Sequence, residues 1–264
     1  MPSILDGVSE IVDQFFELEE IGKPPHYGHI SSCKKLSKNP PIDLNGIDLL
    51  QKMYDQILSN WGRLKNTHET QPSQENWRFT QNPYISEDND SPEVGLERYF
   101  IKIADELWAN QVPTSSGLLG PDANKHTKID MVFKSNKKEF EFIELKIHSN
   151  QPLYAAIEII GYGMIYHFTM NHLSNLGYSD SGKEILEAEH IHLKVLAPKD
   201  YYTDHNMRWL ENMLDKGLAD FHSLKEWKMD FRFERLPEPI TTATKEIDSQ
   251  LARAAIKGRS PLYP

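Results

Sequence analysis

KIDMVFKSNKKEFEFIELKIHSNQPLYAAIEIIGYGMIYHF, residues 128–168, reads as strand, turn, strand and helix. Ile129–Phe133 and Phe140–Ile147 are apolar runs joined through Ser135 and Asn136, the pattern of a hairpin. A strand sends alternate side chains to opposite faces, so Glu144 and Lys146 share one face and Leu145 points to the other. Asp130 lies on the partner strand. Two carboxylates brought together by strand pairing offer the hard oxygen ligands that Mg²⁺ prefers, with water and phosphate completing the octahedron. Lys146 beside them would hold or deprotonate a water. The competing reading is a Glu–Lys ion pair on a solvated strand face, which is nearly neutral energetically, with Asp130 an ordinary polar-face residue. In the helix that follows, Asn150–Asn171, Pro152 suits the first turn and the residues are apolar or small nearly all round. Gly161 and Gly163 each cost about 1 kcal/mol of helix propensity relative to Ala, which points to close approach by the sheet or a ligand.

Asp130 on one strand, a polar turn, Glu144-x-Lys146 closing a second apolar strand, and a helix bearing Tyr162 follow in an order that resembles the PD-(D/E)xK nuclease superfamily, the restriction-endonuclease-like fold. The similarity covers Ser91 to Leu236. Ile129 stands where Pro precedes the aspartate in the motif. Glu158 and Tyr162 stand where many exonuclease-like members carry Gln-x-x-x-Tyr. The resemblance implies an α/β domain with a restriction-endonuclease-like mixed central sheet flanked by helices. It implies Asp130, Glu144 and the Leu145 carbonyl as ligands of Mg²⁺ (or Mn²⁺), and Lys146 as the group that positions the nucleophilic water. Tyr162 and Glu158 would face the site and hold Lys146 or a phosphate. In that family an acid from the preceding helix often completes the metal site. Glu97, embedded in an apolar stripe, is that acid here in preference to Glu93, which sits nearer the dipole-favoured helix start. A solvated Glu97 beside Arg98 or Lys102 is the alternative.

The expected activity is Mg²⁺-dependent hydrolysis of phosphodiester bonds in nucleic acid, DNA before RNA, with Asp130, Glu144, Lys146, Glu97 and Tyr162 as the catalytic set. The alternative is a catalytically inactive binding or scaffold protein on the same fold. In its favour are the acidic charge, Glu in place of Gln at 158 and the lack of an obvious basic patch. A third reading is a metal-dependent hydrolase of another phosphate ester.

The chain has 264 residues, a formal net charge of −10, 39% hydrophobic and 26% charged residues. That composition belongs to a globular chain with enough apolar material for a core. The acidic balance argues against broad, sequence-independent coating of nucleic acid, which relies on many Lys and Arg contacts to phosphate. A local patch and a bound metal would still serve a nuclease. No apolar run approaches the roughly 20 residues that span a bilayer, and the acidic start lacks the basic region of a secretory signal. A cytoplasmic location without membrane contact is expected. The single cysteine, Cys33, rules out an intramolecular disulfide framework and a multi-cysteine zinc site.

Three segments are expected: residues 1–85, a helical N-terminal segment and linker; 86–240, the nuclease-like domain; and 241–264, a C-terminal tail. Helices are read at Ile4–Ile21 and Asp43–Lys65, packing surfaces that would also serve a homodimer or a protein partner. The segment HYGHISSCKKLSKNPP reads as loop, and its His26 and His29 as polar loop residues rather than metal ligands. Asn66–Pro92 is the linker candidate, although Trp77, Phe79 and Tyr84 suggest that parts of it pack. Ser91 begins a helix reaching Asn110, with Pro92 at its first position. Gln111, Val112 and Pro113 start an extended piece. Ser115, Ser116 and Gly117 are small enough to admit a nucleic-acid backbone, Gly120 and Pro121 mark turns, and His126 reads as a surface histidine. A central strand follows at Ile191–Ala197, a helix at Leu210–Leu224, and an alternating strand in KMDFRFERL. In that strand Arg232 or Arg235 would meet phosphate or, more simply, solvent. The tail has helical spacing in its middle and is expected to be loose or partner-dependent.

Overall fold

The computed structural model describes residues 3–18, 22–65, 73–85, 88, 90–115 and 127–263. Ser116, Gly117, Gly120, Pro121 and His126, and the first part of the expected linker, Asn66–Pro72, lie outside them. Five segments with apolar positions and one two-residue strand form one sheet: β1 (Trp108–Pro113), β2 (Lys128–Asn136), β3 (Glu139–Leu145), β4 (His190–Pro198), β5 (Lys228–Leu236) and β6 (Ser260–Pro261), adjacent in that order. β1–β2, β2–β3 and β5–β6 pair antiparallel, and β3–β4 and β4–β5 pair parallel. Parallel pairing needs a crossover. α5 (Pro152–Asn171) carries the chain from β3 to β4, and α6 (Arg208–Phe221) carries it from β4 to β5. The expected mixed sheet with flanking helices is therefore present, with β4 in the middle.

Helices cover both faces. α5 and α6 lie on one, with α1 (Val8–Phe15), α2 (Ile30–Lys38) and α3 (Gly46–Lys65) sharing the larger core beneath and around them. α4 (Pro92–Ile103) and α7 (Ser249–Gly258) enclose a smaller core on the other. Two glycines explain how tightly the first layer sits. A Cβ on Gly163 would stand 2.6 Å from Leu193 Cδ1 on β4, so this glycine lets α5 approach the sheet. A Cβ on Gly46 would stand 2.1 Å from the Met213 carbonyl oxygen, where the start of α3 crosses α6 at Gly217.

Several boundaries differ from the sequence reading. The first helix is confined to Val8–Phe15, although Ile4 and Leu18 on either side are fully buried. The expected loop at 26–41 contains a 3₁₀ turn, His26–Gly28, and the helix α2. Its polar composition hid a narrow buried stripe of Ser32, Cys33 and Leu36. Tertiary contacts stabilise it: the buried Asp13 carboxylate accepts the His26 and Tyr27 amides at 2.8 and 2.6 Å, and Gln151 donates to the Tyr27 carbonyl at 2.6 Å. α4 stops at Ile103 rather than Asn110. Ser91 caps its N-terminus as expected, but Trp108 turns into β1 and stacks near Phe133. In the expected linker, Ser73–Ile85 lies on the protein and Trp77 is fully buried against Phe142 and Tyr166. The Trp77 indole donates to the Ser115 hydroxyl at 2.6 Å, so Ser115 is a core residue and not a backbone-admitting loop position.

The tail is packed on the sheet rather than loose. Asp248 caps α7 with 2.8 Å bonds to the Gln250 and Leu251 amides, and β6 extends the sheet beyond β5. Between them Arg259 stacks over Trp108 and Phe133, 5.3 and 5.4 Å from the ring centroids, and pairs with Glu141 and Glu234. Lys194 bridges the same two acids at 2.9 and 2.6 Å. Two anions thus meet two cations under α7. Removing one member strands a charge, so Arg259→Met is expected to cost about 3–5 kcal/mol, measured by urea unfolding. A loss below about 1 kcal/mol, the value of an exposed pair, would make the tail peripheral.

A second buried polar chain joins α5 to α6. His222 Nδ1 donates to the Leu218 carbonyl at 2.9 Å, which leaves its Nε2 to accept from His167 Nδ1 at 2.9 Å. His167 Nε2 then accepts from Asn171 at 2.7 Å. The chain is satisfied only with both rings neutral. Burial, with the neighbouring histidine and Lys225, pushes His167 down to about 3, and burial pushes His222 down to about 4. The unfolded chain binds these protons near 6.5 and the folded chain refuses them. Stability from this pair is therefore present above about 6.5 and lost as pH falls toward 4. Imidazole NMR at about pH 5 should show both rings neutral. Titration of either ring near 6.5 in the folded protein would contradict the relay.

Candidate active site

The alternation that buries Phe140 and Phe142 of β3 against α5 carries Glu144 and Lys146 onto the same face. They are only 2% and 7% exposed, which discards the solvated surface pair. On β2, Val132 pairs with Phe142, so two residues further along Asp130 comes to Glu144. Asp130 Oδ2 accepts the Leu145 amide at 3.0 Å. Lys146 Nζ is bonded to Glu144 Oε1 and lies 3.1 Å from Glu158 Oε2 on α5. One turn along the helix, the Tyr162 hydroxyl donates to Glu158 Oε1 at 3.2 Å. Asp130, Glu144, Lys146, Glu158 and Tyr162 therefore form one cluster at the ends of two strands and the face of one helix.

α4 approaches from the opposite side. Glu93 and Glu97 line, with Gln111, Asp130, Leu145 and Lys146, a cavity of about 130 Å³. The two acids have different surroundings. Glu93 Oε1 accepts the amides of Ile147, His148 and Ser149 at 2.8, 3.3 and 3.1 Å, and both its oxygens meet the Ser149 hydroxyl. Burial would raise its carboxyl, but the Ile147 amide, the two Ser149 donors and the Lys146 charge together hold it below the ordinary value. Glu93 is the fastener of the turn that leaves β3, a role the sequence reading did not assign to it. Glu97 is buried, with Oε1 at 2.6 Å from Asn110 Nδ2 and Oε2 at 2.9 Å from Gln111 Nε2. Burial and the charge of Asp130 push its carboxyl up to about 7 despite Asn110, Arg98 and Gln111.

Gln111 reaches Glu97 from an unusual backbone. It has φ 51° inside β1, between the Asn110–Met131 and Val112–Ile129 pairs, and so lies beside Asp130. A left-handed residue in mid-strand is strained, and such strain gathers at functional sites. Alternation breaks there: Ala109 and Val112 reach the same core, although strict period two would separate them. No sequence signal marks this position. A further neighbour was also missed. The Tyr201 hydroxyl, in the 3₁₀ turn after β4, is buried without a hydrogen bond among the described residues, and burial raises its pKa while the nearby Lys146 charge lowers it.

The site is short of positive charge. Burial raises Asp130 to about 6, with Lys146 and the Leu145 amide opposing and Glu158 adding to the rise. Burial, then the charges of Asp130 and Glu158, raise Glu144 well above the carboxylate range. Burial alone would lower Lys146, but Glu144, Glu158 and Asp130 outweigh it and hold it as an ammonium. Burial and the Glu144 charge keep Tyr162 a phenol. Among the described residues, Glu144 Oε2 is buried with no donor. An orphaned carboxyl oxygen beside a second carboxyl group is a site where a hard divalent cation would displace the proton and supply the missing charge. Glu97 lines the same cavity without converging on the pair. Among the described residues, only His190, His192 and Asp230 bring three ligand atoms within 4.8 Å of one another.

No family model, curated protein or solved structure matches the chain. The remaining candidates lie elsewhere. Arg232 is exposed, Arg235 bonds Ser260 at 3.1 Å, and the His29 ring bonds the Lys23 carbonyl at 2.6 Å.

Asp130→Asn keeps an acceptor for the Leu145 amide and deletes a charge. The wild-type carboxyl ionises near 3.8 unfolded and near 6 folded, so its ionisation penalises the fold as pH rises through that interval. In chelator the variant should exceed wild type by on the order of 2–3 kcal/mol at about pH 8 and lose most of that advantage near about pH 4. Urea unfolding at the two pH values measures this. Equal stabilities throughout would mean that another group meets the Asp130 charge.

Proposed function

We propose that this protein is a Mg²⁺-dependent nuclease with a restriction-endonuclease-like core. The observation that carries the reading is the burial of Asp130, Glu144 and Lys146 in one cluster that holds more carboxylates than cations. The order α4, β1, β2, β3, α5, β4, with three antiparallel strands and a parallel crossover, supports the fold assignment. So does the Lys146–Glu158 contact, which joins the Glu-x-Lys strand to the helix bearing Tyr162.

Asp130, Glu144 and the Leu145 carbonyl would hold the metal. Glu97, ionised above about 7, adds anionic oxygen to the cavity that Asp130 and Leu145 line. Bound there, Mg²⁺ or Mn²⁺ supplies Lewis-acid polarisation of a phosphoryl oxygen and a lowered pKa for its water. Lys146 acts as a fixed cation and not as a base. Its ammonium orients the attacking water by donating to it and offsets charge that grows on the phosphoryl oxygens. Glu158 and Tyr162 hold Lys146 in position, as a Gln-x-x-x-Tyr pair would, except that Glu158 adds negative charge. Nucleic acid, DNA first, is the proposed substrate. A binding protein without turnover is the rival, favoured by the net charge of −10.

The test is cleavage of single- and double-stranded DNA and RNA with Mg²⁺ or Mn²⁺, wild type beside Asp130→Ala and Lys146→Ala. Wild type should cut, chelator should abolish cutting, and each variant should lose about 100-fold or more. Folded wild type that cuts nothing and takes up no divalent ion in calorimetry would transfer the assignment to the binding protein.

A further inference from the structure

At the other end of the sheet, β4 and β5 bring together three groups that the carboxylate site does not use. His190 and His192 are two residues apart on β4 and share a face. Asp230 on β5 is the register partner of His192. His190 Nε2 and His192 Nδ1 each lie 2.7 Å from the same oxygen, Asp230 Oδ2, and the rings stand 4.1 Å apart between centroids. All three side chains are between 25% and 29% exposed, so water reaches one side of the cluster. The parallel register sets Glu144 beside Val195, five residues along β4 from His190. At about 3.3 Å per residue that is roughly 16 Å. The two sites also lie on opposite faces, since His190 and His192 share the face of Lys194 while Glu144 faces α5.

We propose that His190, His192 and Asp230 form a binding site for a zinc-class divalent transition metal, separate from the carboxylate site. Two imidazoles and one carboxylate are the donors that Zn²⁺, Co²⁺ or Ni²⁺ take, and they disfavour Mg²⁺ and Ca²⁺. Tetrahedral coordination at about 2.0–2.1 Å places ligand atoms roughly 3.3 Å apart. The present 2.7 Å spacing from each imidazole to Asp230 is that of the metal-free cluster and widens when an ion enters. β4 is paired on both sides and β5 with β4, so the ligands sit on strands and are held without ordering a loop. Lys194, the next residue on this face, is engaged by Glu141 and Glu234 and does not neutralise Asp230. Water fills the open position, and the metal pins β4 to β5. The inference does not rest on the nuclease reading.

The experiment uses the full chain, stripped with chelator and titrated with Zn²⁺ or Co²⁺ in excess Mg²⁺. One equivalent should bind, with visible Co²⁺ d–d bands of low coordination number and a raised Tm. His190→Gln and Asp230→Asn should each weaken binding about 100-fold or more, whereas Asp130→Ala should leave it unchanged. Folded wild type that takes up no Zn²⁺ or Co²⁺, or equal uptake in His190→Gln and Asp230→Asn, would overturn the site. So would loss of binding in Asp130→Ala alone.

Discussion

The buried ammonium of Lys146 is the constraint around which the structure closes. A charge removed from water must be paired, and this one is met from two directions: Glu144 on its own strand and Glu158 on α5. The amides on either side of it extend the arrangement. That of Leu145 holds Asp130 of β2, and those of Ile147, His148 and Ser149 are gathered by Glu93 of α4. One short exit from β3 therefore fixes a neighbouring strand and the helices of both layers.

β3 carries a second buried acid, Glu141, on its other face, and the contrast separates scaffold from site. Glu141 and Glu234 meet Lys194 and Arg259, two anions with two cations. Burial would raise Glu141, but Arg259 and Lys194 hold it below the ordinary value. Around Lys146 the balance fails: Asp130, Glu144 and Glu97 are all pushed up, and one oxygen of Glu144 has no donor. A balanced network accounts for itself as structure. An unbalanced one, in a cavity beside a left-handed Gln111, has a physical need that the protein alone does not meet.

Much of this was legible in the chain. Period two in KIDMVF and FEFIELKI placed the hairpin and the shared face of Glu144 and Lys146, because strand geometry leaves no other choice. The all-round apolar helix at 152–171 and the buried run at 191–197 required a sheet between helices. Composition concealed the short helix Ile30–Lys38, whose three buried positions sit among lysines and serines. It also concealed the tail, where Arg259 looks like any exposed cation until the buried pair Glu141 and Glu234 is in view.

The sequence by itself determined local periodicity, the strand-helix order and the identity of the ionisable residues in apolar surroundings, since these follow from bond geometry and hydrophobic pattern. Only the tertiary structure decided which charges meet. The division between Glu93 and Glu97, one tying amides and the other left near neutrality, depends on where α4 crosses the end of β3. The convergence of His190, His192 and Asp230 depends on the register between β4 and β5. Both are properties of elements packed across the sheet, and no spacing within a single segment encodes them.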